Sequence, residues 1–412
     1  MYTTDWYTTF CSKLLALVLV VGLIVAGCDG VLDVDRPTII AEEELDDPQN
    51  AELIVNGLVS DFENAFDTYI VLGGVLGNEF KDATFTAARW PVDQRTIQAS
   101  DDVHSAYNAY EPLQTARWSA DEAVEKLQEW SDDEVDERSD KIATAAAYSG
   151  YSRVLLGEGY CSMAIDLGPE IDRDEVWEQA LDQFDLAITE AEAAGNTDMR
   201  NMAYLGQARA LHNLNRIDEA ATAAAEVEEG FEMTMSASDA SARRQNSVFV
   251  QMDALDVTIS EIYRDLEVEG QPDPRVNTID EDATNAGLQL FTTDKYDDFG
   301  ASIPIARWAE AQLIIAEAEG GQEAVDIINE LRQAHGLEGT FESTDEAEIQ
   351  EQIIEERQRE LFLESHALYD LTHYDLDLFP EPGSDWRAGE GTYGDQQCMP
   401  LPDVERDNNP NI

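Results

Sequence analysis

Acid–base chemistry needs carboxyl groups held a fixed distance apart, and Glu356, Glu360 and Glu364 recur every four residues with Arg357 beside the first. A glycoside hydrolase would need two such groups about 5 to 10 Å apart. With 87 Asp and Glu in the chain, a count cannot exclude a pair, but no motif marks one. Charges three and four residues apart share one face of a helix, and nothing in the sequence places a substrate beside them. We therefore read these residues as an internal ion-pair network joining helix to helix. The five histidines, His104, His212, His335, His366 and His373, form no HExxH, and the four cysteines form no CxxC. The spacing predicts neither a Cys/His cluster nor a zinc site.

The acids outnumber 25 Lys and Arg over 412 residues, giving a formal net charge of −62. A nucleic-acid binder of the usual kind is excluded, because phosphate contacts need a basic face. The excess runs along the whole chain, and only Lys13, Lys81, Lys126, Lys141 and Lys295 are lysines. Such a surface repels itself in dilute buffer, whereas at molar salt the screening length falls to about 3 Å. This reads as a halophile's adaptation, with stability expected to rise with salt. Calcium loops, the competing reading, would alternate Asp or Asn around a turn glycine, and that spacing is absent.

Leu14 to Gly27 is an unbroken apolar run, preceded by Lys13 and followed by Cys28 and acidic residues. It is too short for a permanent span, which needs about 20 residues. Val25-Ala26-Gly27-Cys28 resembles a bacterial lipobox, so residues 1–27 are expected to be a lipoprotein signal peptide. Cys28 would be the lipidated first residue of a mature chain, 28–412. Cys161 and Cys398 then remain to form a disulfide in an oxidising compartment, or to stay as two buried thiols.

These groups must be carried by a mainly α fold. Apolar spacing predicts helices over Asn50 to Phe66 and Glu111 to Trp130. Between about 143 and 230, small and aromatic residues resemble two tetratricopeptide helix pairs: Ala180, Phe184 and Ala187 mark one, and Tyr204, Ala208, Leu211, Ala220, Ala224 and Val227 the other. Two pairs are too few for a free solenoid, so they are expected to act as a scaffold. From Met233 to Ser302 the helical period fades among Pro and Gly, which predicts long irregular loops. Helices return over Arg307 to Glu319, Gln322 to Ala334 with Gly336 as a C-cap, and Asp345 to Leu363, opened by a Ser343/Glu346 capping box. The Gly- and Pro-rich tail from Leu378 should wrap as extended coil.

The block from about 303 to 412 carries Arg307, Glu310, Leu313, Ala316-Glu317-Ala318, Asn329, Arg332, Glu356-Arg357, Glu360-Leu361, Glu364, Asp370-Leu371, Pro400, Pro402, Glu405, Asn409 and Pro410. In this order they resemble the C-terminal motifs of the SusD/RagB family of outer-membrane lipoproteins. Ser365 stands where the family usually has Gly, and Ala367 and His373 where arginines are common. The resemblance implies a SusD-like helical fold and a surface protein, lipid-anchored in the outer membrane and facing the exterior. Such a protein captures a glycan or oligopeptide for a SusC-like TonB-dependent transporter, with no cofactor, metal or covalent chemistry. Sugar rings bind flat aromatic faces and planar polar groups, so the candidates are Trp90 with Asp93 and Arg95, Tyr296 and Phe299, and Trp386 with Tyr393. Trp90 leads, because its Pro-containing loop lies where family members carry ligand aromatics. A tetratricopeptide-type protein scaffold and a glycoside hydrolase remain the alternatives.

Overall fold

Small residues at close helix contacts dictate the first half of the architecture. In the computed structural model, which describes residues 46–412, helices α1 (Ala51–Leu76), α4 (Tyr110–Glu129), α5 (Arg138–Gly159), α6 (Arg173–Ala194), α7 (Thr197–Asn213) and α8 (Ile217–Ala224) lie against one another. The expected signal peptide, Cys28 and the following residues to 45 fall outside the described part. Two shorter helices, α2 (Trp90–Gln94) and α3 (Val103–Ala106), follow strand β1 (Phe80–Asp82), and β2 (Met163–Ala164) pairs with β3 (Glu170–Ile171) between α5 and α6. Helix α1 runs ten residues past Phe66, because Tyr69 to Leu76 is apolar on every side and buried. An all-round apolar run carries no period, so its helical state was not legible.

The expected pairs are α5 with α6 and α7 with α8. The ring of Phe184 on α6 lies against Gly150 of α5 and Gly206 of α7, where a β-carbon would come within 2.6 and 2.3 Å of it. Only glycine permits that approach. Asp172 and Asn196 cap α6 and α7 by accepting the Glu175 and Met199 N–H groups, and Gly195, at φ +71°, ends α6.

Residues 233–302 form the expected long loops, with short strands set into them. They form short antiparallel pairs: β4 (Glu232–Met235) with β10 (Ile303–Arg307), β1 with β5 (Val257–Ile259), β6 (Glu267–Val268) with β7 (Gln271–Pro272), and β8 (Thr278–Asn285) with β9 (Leu288–Thr293). Helix α9 (Ser247–Asp253) interrupts them. Strand β8 reads TIDEDATN and is largely exposed, so no hydrophobic alternation announced it. Its turn is Ala286-Gly287, both at positive φ, which suits a tight hairpin.

Helices α10 (Trp308–Glu319), α11 (Gly321–Ala334) and α12 (Glu346–Glu360) form a second apolar cluster, followed by α13 (Ala367–His373). The predicted capping box is replaced by Asp345, whose carboxylate accepts the Ala347 N–H, while Ser343 bonds Glu348. The tail is mostly coil but contains a small pair, β11 (Asp385–Trp386) with β12 (Gly391–Thr392), and helix α14 (Asp403–Asn408). It is tied to the end of α5 by the Cys161–Cys398 disulfide and by backbone bonds between Cys161 N and Met399 O (2.9 Å) and Met399 N and Gly159 O (2.8 Å). Pro48–Ile412 forms one compact unit, and no helix among the described residues is long and apolar enough to cross a membrane.

The charged face of α12 turns inward. Arg275, its side chain 1% exposed, meets Glu356 at 2.6 Å, Asp273 at 2.8 Å and Glu360 at 3.3 Å. Arg332 of α11 takes the other oxygen of Glu356 (2.6 Å), and Arg307 at the end of β10 spans Glu360 (2.6 Å) and Glu364 (2.7 Å). Arg357 binds both oxygens of Asp370 at 3.0 Å. Burial alone would raise Glu360, but His335 and Arg307 hold it well below the usual carboxylate range. Ser365 sits at φ +77°, a conformation that glycine adopts without strain. Among the described residues no lysine is exposed, and of the arginines only Arg243, Arg244 and Arg406 are.

One buried carboxyl is not neutralised in this way. Burial pushes Glu79 up to about 8, against the Leu363 N–H that it accepts at 2.6 Å and the charge of Lys295. A group raised in the folded state adds stability at low pH and loses it as pH climbs through its folded value. Glu79→Gln, which keeps the acceptor, is expected to match wild type near pH 5 and to melt higher than wild type near pH 9. Parallel melting curves across that range would contradict it.

Candidate ligand-binding site

A single carboxylate organises the loop between β1 and α2. Asp82, fully buried at the end of β1, accepts from the Thr84 N–H (3.0 Å) and hydroxyl (2.9 Å) and from Tyr107 Oη (2.9 Å), and it pairs with Arg89 (3.2 Å) and Arg387 (2.9 Å). Trp90 opens α2, with Pro91 at the next position as suits a first helical turn, and its Nε1 reaches the Thr84 carbonyl at 3.4 Å. Arg387 donates to the same carbonyl at 2.5 Å and lies over both Trp386 (4.5 Å) and Trp90 (5.4 Å). The two indoles are 5.4 Å apart at 59°. Thus a loop and a tail distant in sequence are locked into one frame.

Sequence-predicted residues divide sharply on this frame. Trp386 is 1% exposed, and its Nε1 donates to Asp93 at 2.6 Å, while the other oxygen of Asp93 accepts the Asp82 N–H. Burial raises Asp93 to about 6, opposed by the Trp386 hydrogen bond and the charge of Arg387. Arg95, 2% exposed, donates to Asn78 Oδ1 at 3.2 Å and to the Phe379 and Pro380 carbonyls, with its guanidinium over the Tyr393 ring. Asp93, Arg95 and Trp386 therefore brace the frame instead of facing outward. Tyr296 is buried too, donating to the Leu363 carbonyl at 3.1 Å, and Phe299 meets Phe249 edge to face at 4.9 Å.

What remains outward is Trp90, half-buried, and a residue that the sequence did not single out. Phe85 is 77% exposed, directly after the doubly held Thr84 carbonyl. Its signal was weak: one aromatic ring between threonines. An exposed phenyl beside a braced indole gives flat apolar surface without the entropy loss of ordering a loop on binding. Elsewhere, a groove of about 540 Å³ beside the tetratricopeptide-like pairs is lined by Tyr204, Gln207, Arg216, Glu219 and Glu226. Trp118 on α4, Leu167 in the turn before Glu170 and Val404 on α14 are also exposed.

Residues 291–412 match the model of the SusD family. No curated protein sequence matches the chain. Among solved structures, a SusD-like carbohydrate binding protein of Bacteroides fragilis superposes with a TM-score of 0.67 at 14% identity, over 90% of this chain and 100% of its own. A SusD superfamily protein of Bacteroides vulgatus gives 0.66 at 14%, over 89% and 98%, and surface glycan-binding protein A of Bacteroides fluxus 0.66 at 15%, over 88% and 97%. At these identities the structures share the fold. The C-terminal block thus matches the SusD family, and the chain shares the fold of SusD superfamily structures over nearly nine-tenths of its length.

Proposed function

We propose that this protein binds a glycan at the cell surface without altering it and passes it to a SusC-like TonB-dependent transporter. The observation that carries the reading is the rim of Phe85 and Trp90 on a frame held by Asp82 and Arg387. Similar structures are named for carbohydrate or glycan binding, which supports a sugar over a peptide cargo. Sugar rings present CH faces to aromatic planes, and the loop carries two such rings.

Calorimetry against a panel of glycans and oligopeptides is the test. Phe85→Ala and Trp90→Ala are each expected to weaken binding by about 1 to 3 kcal/mol, the scale of losing one aromatic anchor. The Phe85 variant should keep the wild-type melting point, since its ring contributes little to the core. Turnover of any sugar would favour the hydrolase, and tight binding of peptides alone would favour oligopeptide uptake. Retrieval of a soluble protein in place of an outer-membrane barrel would favour the scaffold.

The anchoring in this reading rests on Cys28. Cys28→Ser is expected to abolish acylation and to release the protein from the membrane fraction. Sedimentation with membranes in lipidated form would contradict it.

A further inference from the structure

Three residues far apart in sequence meet where α7, α10 and α13 converge. Their potential ligand atoms, from His212, Glu317 and His373, all lie within 4.8 Å of one another. His212 Nε2 is 2.9 Å from Glu317 Oε2, and His373 Nε2 is 3.6 Å from Oε1. The two imidazoles have ring centres 4.0 Å apart and are tilted by 31°. At the end of α13, Tyr374 Oη donates to Glu317 Oε2 at 2.6 Å and is 3.3 Å from His212 Nε2. Histidine side chains here are 1% and 4% exposed, whereas Glu317 is 12% exposed and marks the open side. Where the sequence predicted no such cluster, the fold builds one.

We propose that His212, Glu317 and His373 form a zinc site that clamps the tetratricopeptide-like part of the chain to its C-terminal block. Ligands at 2.0 to 2.2 Å from a tetrahedral ion stand about 3.3 to 3.5 Å from one another, and the separations of 2.9 and 3.6 Å bracket that value. Two imidazoles and one carboxylate suit zinc, while calcium and magnesium would need a shell of oxygens that the cluster lacks. Tyr374 Oη or a water completes four-coordination. The Nδ1 atom of His373 is buried without a hydrogen-bond partner and Nε2 faces the Glu317 carboxylate, so the neutral ring presents its Nε2 lone pair to an ion once the proton sits on Nδ1. Nearby Arg357 is matched by Asp370, which limits its opposition to a cation.

The full-length chain, stripped with a chelator, is titrated with zinc in excess magnesium, which occupies the acidic surface. One equivalent of zinc is expected to bind and to raise the melting temperature, as any ligand of the folded state does. Cobalt(II) should give the intense visible absorption of a four-coordinate ion. Glu317→Gln and His373→Gln should each lower zinc affinity by at least about tenfold, with melting in chelator close to the metal-free wild type. Zinc uptake that is equal in wild type and both variants would overturn the site, as would a weak six-coordinate cobalt spectrum. Should either variant fail to fold, the wild-type cobalt spectrum decides alone.

Discussion

Replacing Arg275 with methionine is expected to lower the free energy of unfolding by about 3 to 5 kcal/mol, the scale for removing one partner from a buried ion pair. The guanidinium faces Asp273, Glu356 and Glu360, all essentially without solvent. Methionine fills the volume but leaves three carboxylates with fewer donors. Arg332 and Arg359 still hold Glu356 and Asp273, so the loss is large without being total. Adding Glu356→Gln should restore part of it, because one uncompensated charge is then gone. By contrast Arg243→Ala, whose partner Asp61 lies in a solvated pair, should be close to silent. Urea denaturation at fixed salt measures all three. An Arg275 variant as stable as the Arg243 variant would show that the network is a consequence of the fold and not one of its supports.

Breaking the Cys161–Cys398 bond is the second large effect. The disulfide closes a loop with a sequence separation of 237 residues, and removing such a link costs about 2 to 5 kcal/mol. The tail has little core of its own, so the bond and the strand-like contact of Tyr160 with Met399 hold it to α5. Paired Cys161→Ala and Cys398→Ala replacements should lower the melting temperature, and reductant should lower that of wild type alone. Hydrogen exchange should rise first around Met399 and Leu401. Identical melting with and without reductant, with the bond verified as broken, would refute this.

Helices with a periodic apolar face, such as α4, and those with small residues at contact positions, such as α6 and α7, were legible in the sequence. Strand β8 was not, since its side chains are polar and its pairing rests on backbone bonds and a two-residue turn. The inward face of α12 was readable from Glu356, Arg357 and Glu360, but the helix ends at Glu360, short of the expected Leu363, and Glu364 follows it in a turn with Leu363 at φ +57°. The principal partner of that face, Arg275, lies 81 residues from Glu356, a distance that no local spacing reports. At the site, residue type could not separate outward from inward rings. Trp386 was read as ligand-facing because it sits among glycines and prolines, yet its indole N–H finds Asp93 and the ring is buried. Phe85 escaped notice because exposure is decided by the neighbouring Thr84 carbonyl and its donors. His212, Glu317 and His373 meet only in three dimensions.

The inward-turned arginines also set the electrical character of the molecule in solution. With the positive groups largely spent inside, the outer layer is close to a single sign, and neutrality must be supplied by a mobile cloud of dissolved cations. The protein should therefore migrate fast toward the anode and elute late from an anion-exchange column. Any surface that docks on it must either carry fixed positive charge or share that cloud.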